Sequence, residues 1–176
     1  MFGFGKRKQT EAAKKLGEGV AQAITEDIDA FMREQVMPLR RAYVSRMVEN
    51  LTINPTEEVS ATDIGAEHYG FMMEAWARDA YPNIQQAGEQ FCATYEENGL
   101  ADIASAVRQR FARELNQQSY ELACEGIEAI REALAAHRGE PPLNGRGMDS
   151  VRELVKSLGS PGTSPATLNA LFDNVG

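Results

Sequence analysis

Apolar residues return every third or fourth position along most of the chain, and no stretch shows the period-two alternation of β-branched residues that marks strands. The pattern predicts an all-α fold. From Leu16 the series Val20, Ile24, Ile28, Phe31, Met32, Val36, Leu39, Tyr43, Met47 and Leu51 stays near one helical face, with charged residues opposite. Pro38 interrupts it by removing a backbone donor and crowding the preceding turn, which predicts a kink or two helices meeting near Val36 and Met37.

Asn54, Pro55, Glu57 and Glu58 follow the order of an N-cap, a first helical residue and dipole-matching carboxylates, and Ser60 with Asp63 repeats that logic in weaker form. Ile64, His68, Phe71, Met72, Ala75 and Trp76 then share a face. Pro82 is expected to end or kink this run, with Tyr81 pushed toward extended geometry as the residue before a proline. Helical spacing resumes at Ile84, Ala87, Gly88, Phe91 and Tyr95, and Asn98 with Gly99 supplies a stop.

Residues 101–138 read as one long helix with two stripes. Leu100, Ile103, Val107, Phe111, Leu115 and Leu122 form one, and Tyr120, Ala123, Ile127, Ile130 and Leu134 form the other, with a polar changeover at residues 116–119. A helix with two apolar flanks touches more than one neighbour, as a central helix of a bundle does. His137 and Arg138 complement the dipole and Gly139 ends the helix. The run GEPPLNGRG over 139–147 reads as a linker. Beyond it, Val151, Leu154, Val155 and Leu158 mark one short amphipathic helix, and Leu168, Leu171, Phe172 and Val175 mark a second.

The expected organisation is therefore a flexible basic N-terminus (1–8), a helical bundle core (9–138), the linker (139–147) and a two-helix tail (148–176). The core would hold about four to five longer helices, some kinked at Pro38 and Pro82, and the tail, too short to be stable alone, would dock on the core or on a partner.

Composition changes this picture little. Among 176 residues, 43% are hydrophobic and 25% charged, ordinary values for a chain that packs a core. Charge distribution says more: the net −8 hides a basic start, with Lys6, Arg7, Lys8, Lys14 and Lys15 against Glu11, and an acidic stretch over 53–102 in which ten carboxylates meet Arg78 alone. A field of that sign repels phosphates, so nucleic acid is not an expected partner. The arginine groups Arg40, Arg41, Arg46 and Arg108, Arg110, Arg113 lack interleaved aromatic residues and read as salt-bridged or solvated faces. The start holds no apolar stretch of the kind export requires and no run long enough to span a bilayer, which leads to the expectation of a cytoplasmic protein.

Candidate chemistry is sparse. Cys92 and Cys124 lie in no CxxC or zinc spacing and read as small core residues. Glu67 adjoins His68 directly, so the Glu-x-x-His pairing of bundle metal centres is missing; no catalytic residue, metal ligand or cofactor site is assigned, and no cofactor is expected. The expected role is a non-catalytic helical interaction module, an adaptor, regulator or chaperone-like partner of another protein or of a second copy of itself. Its candidate contact residues are Met73, which falls off the main stripe and is expected to be exposed, Trp76, and Leu154, Val155, Leu158, Leu168, Leu171 and Phe172 of the tail. Two alternatives accompany it. One is a bundle that binds a small ligand or metal near His68 and Trp76; the other is peripheral attachment to the inner face of a membrane through Phe2, Phe4, Lys6, Arg7 and Lys8.

Overall fold

The computed structural model describes residues 4–51 and 61–158, and among these the fold is all-α, with no strand. Helix α1 (Phe4–Phe31) runs through a π-helical turn (Met32–Val36) directly into α2 (Met37–Asn50). Helix α3 (Ala61–Ala75) does the same through a second π turn (Trp76–Ala80) into α4 (Tyr81–Glu97). Then come α5 (Ala101–His137) and the short α6 (Met148–Leu158). Helix α1 begins at Phe4, inside the segment read as a flexible basic start. The second short helix expected near residues 168–175, and the capping sequence at Asn54–Ser60, lie outside the described residues.

Both prolines are absorbed in one way. Each π turn ends two residues before a proline, and the residue between them donates its amide to a carbonyl five positions back, Met37 to Met32 and Tyr81 to Trp76. The wider ring accommodates the pyrrolidine where an α turn would clash with it. Tyr81 therefore keeps helical dihedrals, φ −55° and ψ −48°, instead of the extended geometry expected before a proline, and Pro82 ends nothing.

Helix α5 is the element the others share. It lies parallel to α1 and α2, as the Asp29–Arg110 pair and the Phe31–Phe111 ring contact show at one end and Arg40–Glu125 further along. It runs antiparallel to α3 and α4, with Gly65 against Ile130, Trp76 against Ser119 and Gly88 against Phe111. Both predicted stripes of α5 are buried over most of their length, Val107, Phe111, Leu115 and Leu122 from one and Ala123, Ile127, Ile130 and Leu134 from the other, while Ile103 and Tyr120 are half-buried and Leu100 is exposed. The polar changeover at 116–119 carries cross-links. Tyr81 donates to Asn116 (3.0 Å), Arg40 to Gln118 (2.6 Å) and Trp76 to Ser119 (2.9 Å), so the stretch binds groups from both neighbours.

The expected stops are where the sequence puts them. Gly99 (φ +75°) and Gly139 (φ +72°) adopt the left-handed conformation that closes a helix, and each is followed by the paired amide-to-carbonyl bonds of that motif. Leu100 reaches Tyr95 while Gly99 reaches Glu96; Glu140 reaches Ala135 while Gly139 reaches Ala136. Past Gly139 the Pro/Gly segment turns back on α5, where the Glu132 carboxylate accepts the amides of Leu143 (2.8 Å) and Asn144 (2.7 Å). Helix α6 then descends antiparallel to α5, with Val151 buried and Tyr120 donating to the Arg152 carbonyl at 3.0 Å.

Candidate functional site

Three apolar residues assigned to stripes by spacing stand at the surface, Leu100 at the start of α5 and two that lie together. Leu39 is 38% exposed and Phe71 59% exposed. The first π turn puts one residue more into its hydrogen-bonded ring, so the inward register after it passes to Arg40, which is only 5% exposed, and Leu39 turns outward. On α3 the expected stripe is buried at Ile64, Met72 and Trp76 and half-buried at His68 and Ala75, but Phe71 faces out and Tyr69 and Met73 are buried in addition. Gly65 is the cause at hand: lacking a side chain, it lets Ile130 of α5 approach to where a Cβ would sit at 2.7 Å, and that flank turns inward.

Leu39 and Phe71 line the same groove. It lies between α2 and α3, has a volume of about 720 Å³, and is walled by Tyr43, Met47, Met72 and Ala75 with Arg46, His68, Arg78 and Asp79 at its polar edges. A second depression, bounded by Gln35, Val36, Asp79 and Ala80 of the two π turns, continues it past Leu39 and Tyr43. Tyr43 stands edge-on to Trp76 with ring centroids 5.5 Å apart, and burial, reinforced by nearby Asp79, pushes its phenol above the usual value. Arg78 donates to both Asp79 oxygens at 2.9 Å and holds that carboxyl below its ordinary range.

His68 seals one end. Its ring nitrogens lie 2.9 Å from the Ile64 carbonyl and 3.0 Å from the Asn50 carbonyl, tying the last residue of α2 to α3. Both partners are acceptors, so a neutral ring donates to one of the two, and both ring nitrogens face backbone carbonyls. A comparison of the chain with protein-family models, with curated proteins and with solved structures finds no match.

The other candidate residues fall in different places. Met73 is 3% exposed, against the expected exposure, because α3 is buried on two flanks. Trp76 is 1% exposed, its indole N–H spent on Ser119. Both belong to the core in this chain, and Trp76 lies against Tyr43 of the groove wall. Val155 packs on the core; Leu154 and Leu158 fall on α6, while Leu168, Leu171 and Phe172 lie outside the described residues. Phe4, Lys6, Arg7 and Lys8 fall on the first turns of α1, and Phe2 lies outside. Among the described residues no helix is long and apolar enough to cross a membrane, and no cluster of three metal-ligating side chains occurs. Cys92 and Cys124 are free and buried, and burial pushes both thiols above their ordinary value.

The arginine groups divide. Arg108 holds Glu89 (2.8 Å) and Glu96 (3.1 Å) on α4, and Arg110 holds Asp29 (3.1 Å) on α1, as expected of ion-paired faces. Arg40 departs from that expectation by entering the core, where Glu125 and Gln118 meet it.

Proposed function

We propose that this chain is a non-catalytic interaction module, a helical bundle that receives an amphipathic helix of another polypeptide in the groove between α2 and α3. The observation that carries the reading is the pair of outward apolar side chains, Leu39 and Phe71, on either side of one elongated depression. Single exposed apolar residues are common, but two that converge on a groove floored by methionine and tyrosine form the apolar centre and polar rim of a contact surface. Leu39 and Phe71 would serve as anchors, and Arg46 and Arg78 would meet carboxylates flanking the partner's apolar face.

The test is Leu39→Asp combined with Phe71→Asp. Both side chains are exposed, so the double variant should melt within a few degrees of the wild type while losing a partner that the wild type retains from the native cell. Retention of the same proteins by both would refute the reading.

One observation favours a second reading, a small apolar ligand. The groove's volume falls in the range of small-molecule sites. Such a ligand would lie against Tyr43 and Phe71, since Trp76 is enclosed and His68 is committed to two carbonyls. A melting-temperature shift with a ligand panel, abolished by Phe71→Asp, would favour this over a protein partner.

A further inference from the structure

His68 faces two backbone carbonyls, and one proton cannot serve both. Its Nδ1 lies 2.9 Å from the Ile64 carbonyl, one turn back on α3, and its Nε2 lies 3.0 Å from the carbonyl of Asn50, the last residue of α2. A neutral imidazole carries a single N–H, so one of these contacts sets a ring lone pair against a carbonyl lone pair. An imidazolium donates at both. The contact to Ile64 stays within one helix, whereas the contact to Asn50 crosses from α3 to α2, so the second proton completes the junction between the two helices.

The charges around the ring are divided. His68 is half-buried and lines the groove between α2 and α3, so its ring keeps access to solvent protons. On α2, Arg46 lines the same groove and its guanidinium works against a second proton, while Glu49, next to Asn50, works for it. On the second π turn Arg78 and Asp79 neutralise each other through two bonds of 2.9 Å. Glu67 and Asp63 lie on α3 itself. On α5 the carboxylates level with His68 are held elsewhere: Glu125 takes Arg40, Glu132 takes the amides of Leu143 and Asn144, and Glu128 lies beside Gly145. Against this divided field, hydrogen bonds that only the charged ring can complete favour the charged ring.

We infer that His68 is a proton-operated clasp at one end of the groove: the doubly protonated ring locks the end of α2 to α3, and loss of one proton releases it. Imidazole exchanges this proton at about pH 6.5 in water. Only the folded chain presents both carbonyls to the ring, so the hold is present at acid pH and is lost as pH rises through the histidine range. Phe71 follows His68 by one turn of α3, and Leu39 stands on the facing wall, so the clasp fixes the spacing of the two walls at this end. The clasp itself rests on contacts within the chain; only its consequence for a bound helix rests on the groove being a contact surface.

The test follows amide hydrogen exchange in the full chain, without a partner, at pH 5.5 and 7.5, with the intrinsic pH dependence of exchange divided out. Protection of residues 47–50, the last turn of α2, should fall about fivefold from the lower to the higher pH. It should stay level in His68→Gln and fall as in the wild type in His137→Gln, which removes the chain's other histidine. No fall in the wild type, or an equal fall in His68→Gln, would overturn the inference. Nitrogen NMR of the unsubstituted protein reads the clasp directly. At pH 5.5 both ring N–H protons of His68 should exchange slowly enough with water to be seen, while those of exposed His137 should not. Ring protons that exchange equally fast on both histidines would also overturn it. Failure of either measurement would leave the partner test with Leu39→Asp and Phe71→Asp untouched, and failure of that test would leave the clasp standing.

Discussion

Arg40 on α2 donates from Nε and Nη2 to the two carboxylate oxygens of Glu125 on α5, at 3.1 and 2.7 Å, with 7% of the arginine side chain exposed. Its Nη1 reaches Gln118 at 2.6 Å. A charge placed inside a helical core is stable only when its donors are matched, and here the planar fork meets a bidentate acceptor. The pair fixes the sliding register of α2 along α5.

Removing one partner should therefore cost more than removing both. Arg40→Met is expected to lower stability by about 2–3 kcal/mol, since Glu125 and Gln118 lose their donor, and Arg40→Met with Glu125→Leu to recover about half of that. Urea denaturation of the two single variants and the double variant measures the coupling. Additive losses would show that the pair does not act as a unit.

How much of this was legible beforehand depends on how local the cause was. The stops at Gly99 and Gly139 and both stripes of α5 could be read because they rest on neighbouring residues and a constant period. On α2 and α3 the inward positions Tyr43, Met47, Ile64, Met72 and Trp76 were legible as well, but the outward turn of Leu39 and Phe71 and the burial of Arg40 were not. The first π turn widens the hydrogen-bonded ring just before Leu39, so at that point the inward position passes from Leu39 to Arg40, while Tyr43 and Met47 stay inside. On α3 the choice between the Phe71 flank and the Met73 flank was made by Gly65 and Ile130, a contact between residues far apart in sequence. The groove arises from those two shifts, which is why spacing alone did not reveal it. Arg40 and Glu125, 85 positions apart, share no sequence signature.

Two glycines should respond to alanine with opposite sign. At Gly88 a Cβ would lie 2.3 Å from the Phe111 ring, itself packed at a tilt against Phe31, so Gly88→Ala should destabilise by about 1–2 kcal/mol despite its better helix propensity. Gly70 sits on α3 with open space around it, and Gly70→Ala should stabilise by about 0.5–1 kcal/mol. Thermal melts of both variants check the pair of signs.

Alkali should unfold the protein through groups that the fold keeps neutral. Burial raises the thiols of Cys92 and Cys124 from 9.0 and the phenol of Tyr69 from 10.0, and burial with help from Cys124 pushes Tyr120 up to about 12. Each folded value lies above the unfolded one, so below pH 9 these groups impose no penalty. Stability should decline as pH rises through 9 and 10, where only the unfolded chain gives up its protons. Urea midpoints at pH 7, 9 and 10.5 should show a flat segment followed by a fall. The same burial predicts that a thiol reagent at pH 8 labels both cysteines at the rate of unfolding, and immediate labelling of the native protein would contradict it.

The claim on which the account turns is that Leu39 and Phe71 face a partner and not merely water. A photo-crosslinking amino acid placed at position 71 in the native cell tests it most directly, with the exposed position 109 on α5 as control. The account predicts a discrete adduct with another polypeptide from position 71, lost when Leu39→Asp is added and not formed from position 109. Adducts of the same size and yield from both positions, or none from position 71, would contradict it.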